Sequence, residues 1–152
     1  MTKPVVYIES PRHPALRDLH AYWLAKKGSR PMPARAEIKP SEIKLLLPDI
    51  VIWSAPEPFV IRIVGDSVVR FMGSNNMGKP ATSGMPPAAA EGMLGMLNEV
   101  VASKAPRFKL GKVYWQTGKA ERDFEASFLP LSANGQDVDM ILGGFKFDVG
   151  EP

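Results

Sequence analysis

The side chains able to do chemistry are few and scattered. The chain has no cysteine, which removes thiol nucleophiles, disulfides and thiolate metal ligands. Its two histidines, His13 and His20, stand near the N-terminus without a companion ligand set, so solvent contact or ordinary packing accounts for them better than a metal or haem does. A G-x-x-x-x-G-K spacing runs from Gly73 to Gly78-Lys79. Pro80 follows where a Ser or Thr must hold magnesium, and proline opposes the helix that must come next, so this is not a phosphate-binding loop. Arg62 falls between Val60 and Val64 on one strand face; it either pairs with a carboxylate at a sheet margin or anchors a ligand. Asp123 and Glu125 are the carboxylates that acid–base chemistry would draw on, but their spacing sets them near lysines of neighbouring strands, where they read as solvated ion pairs. No Ser-His-Asp set is recognisable.

Composition narrows the class further. A chain of 152 residues, 45% apolar and 23% charged, has the size and balance of one globular domain. The net charge of +3 comes without a dense basic stripe, so nucleic acid binding is not indicated. The opening MTKPVVYIES lacks the apolar run of a signal peptide, and no stretch has the length of a membrane span. With the lack of cysteine, this fits a cytoplasmic protein. The 15 prolines fall mostly between elements and act as punctuation.

The elements that must position these residues follow from periodicity. Residues 1–10 read as an extended lead-in. Pro14 to Lys27 reads as a helix, with proline early, lysines at the negative end and Gly28 as its cap. Leu16, Leu19 and Trp23, with His20 beside them, form a stripe that must cover either the sheet or a partner chain. Gly28 to Arg35 is an extended connector, Pro40 to Leu47 a short helix, and Ile50 to Trp53 and Phe59 to Val64 two strands about a proline-rich turn. Asp66 caps a short helix over Ser67 to Met72, ended by Gly73. Pro87 to Lys104 is the longest helix, with Met93, Leu94, Leu97, Val100 and Val101 inward. Arg107 to Gln116 is a strand, and Gly118-Lys119 offers a hairpin turn.

Ala120 to Val149 organises the rest. It reads as two antiparallel strands turning at Asn134-Gly135, the strongest short hairpin signal. That centre predicts Leu131 facing Val138, Leu129 facing Met140, Phe124 facing Phe145 and Asp123 facing Lys146. The apolar phase switches face along both strands together, as in a sheet covered on both sides. The Gly118-Lys119 turn predicts Val113 opposite Phe124, and Trp115 opposite Arg122 in a cation–π contact. Together the registers set Gly111, Ala126 and Gly143 in a row: a shallow trough on the face of Val113, Phe124, Phe128, Ile141 and Phe145. Either the long helix sits low in it, or a small apolar ligand does, bounded by Met93 and Met96. These ten residues are the candidate ligand-binding set; no catalytic or metal-binding residue is assigned.

The order of elements gives an α+β domain: a five-stranded antiparallel sheet, helices on one face, and an N-terminal helix. It resembles a PAS domain. Particular strings sharpen the resemblance: Arg30-Pro-Met-Pro-Ala-Arg35 before Ile38-Lys-Pro40, Phe59-Val-Ile-Arg-Ile-Val-Gly65 with Gly73 and Gly78, and Phe128-Leu-Pro-Leu-Ser132 with Gly135. They look like a bacterial family of small single-domain PAS proteins, over roughly His13 to Phe147. The resemblance implies residues 1–28 as a lead-in and helix for packing or dimerisation, and 29–152 as the PAS-like domain. It also implies a cytoplasmic, non-enzymatic sensor or protein-interaction domain, often homodimeric. With no output domain in the sequence, such a module is expected to act through a separate signalling partner or by sequestering one. PAS sensors commonly hold haem, flavin or a small organic molecule between sheet and helices; without cysteine, and without histidine in the long helix, the first two are disfavoured here and the cofactor is left open. The rival class is a small cone-shaped α+β enzyme similar to ketosteroid isomerases, which needs an ionisable group deep in its pocket.

Overall fold

The computed structural model describes residues 6–115 and 120–150. Its elements in chain order are β1 (Val6–Ile8), α1 (Pro14–Lys27), three short 3-10 turns between Arg35 and Asp49, β2 (Ile50–Ser54), β3 (Ile61–Val64), α2 (Asp66–Met72), α3 (Pro87–Ser103), β4 (Arg107–Val113), β5 (Arg122–Leu131) and β6 (Met140–Phe147). The strands form one antiparallel sheet of six in the order β1-β4-β5-β6-β2-β3. The expected five strands are all present. The sixth comes from the supposed loose lead-in, where Val6 to Ile8 pair with Leu110 to Phe108 of β4. The expected Pro40–Leu47 helix is instead two separate 3-10 turns, Pro40–Glu42 and Leu47–Asp49. Gly65, rather than Asp66, is the N-cap of α2.

Both hairpins fold with the expected faces and a register displaced by two residues. Leu131 faces Met140, Phe124 faces Phe147, and Glu125 faces Lys146. On the other side Val113 faces Arg122, and Lys112 faces Asp123. The reason lies in the loop. Asn134 does not sit at the centre of a two-residue turn; its Oδ1 accepts from the amides of Gln136 (2.8 Å) and Asp137 (2.9 Å). The Asp139 amide then closes the loop on the Leu131 carbonyl at 3.0 Å. An asparagine capping its own backbone makes a wider loop than a type I′ turn does. A shift of two leaves every side chain on its face, because the strand period is two. The Gly118-Lys119 turn lies outside the described residues.

The two sheet faces are covered by different parts of the same chain. On one, α1 lays Leu16 and Leu19 over Gly144, where a Cβ would come within 2.8 Å of Leu16 and 2.7 Å of Leu19. Trp23 of the same stripe is 1% exposed, and its Nε1 donates to the Pro130 carbonyl at 2.8 Å. The stripe thus covers its own sheet. Leu129 and Leu131 are buried on that side. On the opposite face stand α2 and α3, with Met93, Met96, Leu97 and Val100 of α3 buried.

Glu125 corrects the reading of solvated carboxylates. It is only 2% exposed, and its carboxylate accepts from the Arg12 amide at 2.7 Å and the His13 amide at 3.0 Å. His13 in turn is the N-cap of α1, its Nδ1 accepting from the Ala15 amide. One strand carboxylate thereby fixes where α1 begins. Asp123 accepts from the Gly150 amide at 3.1 Å, and Lys146, expected beside it, bonds Asp49 at 3.0 Å. Arg62 is exposed on the edge strand β3. Glu125→Ala takes the charged acceptor from two part-buried amides, so it is expected to lower stability by about 1.5–3 kcal/mol. Urea denaturation checks the loss, and hydrogen exchange should show the Arg12 and His13 amides opening first.

Candidate functional site

The covering of the second face is incomplete. A cavity of about 90 Å³ lies between the sheet, α2, the first half of α3 and the 74–85 segment. Its placement follows from local chemistry. Gly73, at φ 83°, ends α2 in the left-handed region that glycine adopts without penalty. The chain then returns along β3. The Gly78 amide donates to the Ile61 carbonyl (2.7 Å), Ile61 donates to Lys79 (2.9 Å), and Ala81 donates to Phe59 (2.9 Å). This lacing carries Ala81 and Met85 to the rim of the sheet, where both line the cavity with Val68 and Met72 of α2.

The sheet side of the cavity is aromatic. Phe145 lies in the middle, with ring centroids 6.0 Å from Phe124, 6.1 Å from Trp53 and 6.1 Å from Phe147. Trp53 stacks on Phe128 at 5.7 Å. Among the described lining residues none is ionisable; the polar groups are those of Ser74, Asn76 and Ser83 and the indoles of Trp53 and Trp115. The ionisable group that a ketosteroid-isomerase-like enzyme needs in its pocket is not among them.

Of the ten residues expected to bind ligand, Met93, Val113, Phe124 and Phe145 line the cavity. The others do not form a trough. With both registers moved by two, Lys109 rather than Gly111 stands beside Ala126, and Phe145 rather than Gly143 stands on its other side. Gly111 lies under the Phe124 ring, where a Cβ would come within 2.7 Å of Cζ. Gly143 lies under Trp53, where a Cβ would come within 2.5 Å of Cζ3. Met96, Ala126, Phe128 and Ile141 are closed into the core. Sequence reasoning missed Trp53, Val51 and the wall from Met72 to Met85. Alternation in Ile50–Ser54 does mark Val51 and Trp53 as one face, but nothing local shows that β2 pairs with β6. The expected Trp115–Arg122 contact is also replaced: the Arg122 guanidinium lies 4.0 Å from the Phe71 ring centre and Trp115 packs edge-on against Tyr114.

Lys109 shares this sheet face but not the cavity. Its ammonium lies 5.9 Å from the Phe124 ring centre and 5.4 Å from that of Phe128, and the residue is 6% exposed. Burial without a carboxylate partner pushes its pKa down from 10.5 to about 8.

The fold and this placement of the cavity define a PAS domain, and the family comparison agrees. A family model described as PAS domain matches residues 11–146, and the chain belongs to that family. No curated protein matches it in sequence. Among solved structures it is similar to the PAS domain of Bordetella pertussis BvgS, with 21% identity and a TM-score of 0.55 over 73% of this chain and 86% of that one. It is similar to the PAS domain of the fruit-fly ELK potassium channel, with 16% identity and a TM-score of 0.55 over 73% and 94% of the two chains. A light-oxygen-voltage domain studied with a flavin analogue gives 16% identity and a TM-score of 0.54 over 73% and 86%. At these identities the likenesses establish the fold. PAS domains are in general sensor or interaction modules in signalling, and typically not enzymes.

Haem and flavin do not fit this site. Small-molecule pockets usually span about 300–1,000 Å³, several times the 90 Å³ here. No histidine lines it, and both histidines serve α1: His13 as its cap, and His20 with its ring 5.0 Å from Phe108. No described helix is long and apolar enough to cross a membrane.

Two outcomes test this geometry. Gly143→Ala must push the Trp53 ring aside and is expected to cost roughly 1–3 kcal/mol in urea unfolding. For Lys109 the unfolded chain holds a proton that the folded chain lacks between pH 8 and 10.5, so stability should rise with pH across that window. Lys109→Met removes the buried charge. It should be more stable than the parent at pH 7, by at most roughly 3 kcal/mol, with the difference shrinking as pH climbs through the window.

Proposed function

We propose that this PAS domain is a non-enzymatic cytoplasmic sensor that binds a small apolar molecule between its sheet and α2/α3, and reports to a separate signalling protein. The observation that carries the reading is the character of the cavity: uncharged on every described side, aromatic on the sheet, and walled by Met72, Met85 and Met93 opposite. A cavity of roughly 150 Å³ accepts benzene, and apolar cavities accept xenon. Thioether side chains can swing to enlarge a smaller one. The set of ligand residues is therefore Met93, Val113, Phe124 and Phe145 from the original ten, joined by Trp53, Phe147 and the methionine wall. The α1 stripe, expected to cover either the sheet or a partner chain, packs on the sheet of its own chain, with Leu16, Leu19 and Trp23 buried and the Trp23 indole bonded to Pro130. The reading does not depend on self-association.

Methyl NMR under xenon pressure reads the cavity directly. The Met72, Met85 and Met93 methyls are expected to shift saturably, and Ala81→Leu, which fills the space from the rim, should reduce those shifts by about threefold or more. Native mass spectrometry of protein purified from its own host should show a retained small molecule. No retained molecule, together with methionine methyls indifferent to xenon and to indole, would sink the proposal.

A further inference from the structure

We propose that the cleft between α2 and the outer ends of β5 and β6 is a second binding site, for a small molecule carrying a phosphate monoester. It is separate from the apolar cavity and goes beyond the sensor reading. The cleft encloses about 360 Å³, within the usual range for small-molecule sites. Three cations reach it from three elements: Arg70 from α2, Arg122 from β5 and Lys146 from β6. Asp49 is the one carboxylate among its described lining residues.

Two of the cations are already held in place. The Lys146 ammonium bonds Asp49 at 3.0 Å, and the Arg122 guanidinium grips Asp148 through Nε at 3.1 Å and Nη2 at 2.6 Å. The Arg122 group is also stacked on Phe71, at 4.0 Å from the ring centre. Neither is exhausted: a guanidinium has five N–H donors and an ammonium three. Fixed cations with spare donors lose little freedom on binding an anion. Arg70 is exposed and has no hydrogen bond or ion pair among the described residues. It is an unpaired charge beside two like charges, an arrangement that an incoming anion relieves. Ser67, one turn before Arg70 on α2, adds a hydroxyl to the lining.

The geometry favours phosphate over carboxylate because donors approach from three directions. A phosphate monoester offers three strong acceptor oxygens and a charge of about −1.5 to −2, whereas one guanidinium fork saturates a carboxylate. The organic part must be compact and need not be aromatic. Phe71 has Phe147 stacked at 3.6 Å on one side and Arg122 on the other, so it offers no bare ring to a base.

The test is amide-resolved NMR titration of the full chain with inorganic phosphate and glycerol 3-phosphate, against acetate and sodium chloride at matched ionic strength. Both phosphates should shift the Ser67, Arg70 and Phe147 amides saturably, and acetate and chloride should not. Arg70→Gln, an exposed change that leaves the fold intact, should weaken both phosphates by about tenfold or more, while the control Arg62→Gln binds as the parent does. Linear shifts matched by chloride, equal binding of acetate, or an Arg70→Gln affinity within about twofold of the parent would each overturn the proposal.

Discussion

A sheet that is apolar on both faces has to be buried on both faces, and this constraint arranges the chain. Two consecutive glycines of β6 show it at the smallest scale. Gly144 presents its missing side chain to α1 and receives Leu16 and Leu19; Gly143 presents its own to the opposite layer and receives the Trp53 ring. Neither glycine is needed for an unusual backbone angle. Each is needed because a neighbour comes too close for a Cβ, first on one face and then on the other. The N-terminal helix is consequently part of the fold rather than an appendage. Its start is set by the Glu125 carboxylate and its far half by the bond from Trp23 to Pro130.

The two layers do not fit equally well, and the proposed ligand site lies where they differ. On the α1 side the side chains of Leu16, Leu19 and Trp23 reach the sheet. On the other, α3 buries Met96, Leu97 and Val100, while its opening residues Pro87 to Gly92 are not buried. Only Met93 of that half turns inward enough to be buried. The cavity lies against the half of the helix that buries only Met93, with the laced 74–85 segment on its other side. Well-packed interiors leave few voids, so a space bordered by movable methionines is a place where the fold can yield to a ligand without being rebuilt.

What the sequence disclosed and what it hid divide along the same physical line. Local periodicity gave α1 and its buried stripe, and the faces of β5 and β6, because side-chain direction repeats every two residues in a strand. It could not give register, since moving a strand by two residues preserves that pattern entirely. Asn134-Gly135 then misled, because asparagine serves a hairpin turn and a wider self-capped loop equally well. The trough of small residues was an artefact of that register. Its true partners, Trp53 over Gly143 and Phe124 over Gly111, depend on non-local pairing. The faces survived the shift: Met93, Val113, Phe124 and Phe145 still meet, because a displacement of two residues leaves each strand side chain on the side that α3 covers.

Gly111 has a consequence of its own for the chemistry of the cavity. Because it has no side chain, the Phe124 ring can lie down over β4. In that position Phe124 serves two environments at once: it lines the apolar cavity, and it offers its ring to the Lys109 ammonium. Lys109 is thereby accommodated on the same sheet face without joining the cavity lining. An ammonium against aromatic faces keeps part of the electrostatic stabilisation it loses on leaving water, which makes a charge tolerable so close to a pocket whose described lining is uncharged. On the proposed sensor reading, discrimination by this pocket rests on shape and on the hydroxyl and amide groups of its rim. A site with no charge among its described lining residues rejects poorly fitting apolar molecules by only modest factors, so on that reading the methionine wall and the Phe124 ring set its selectivity.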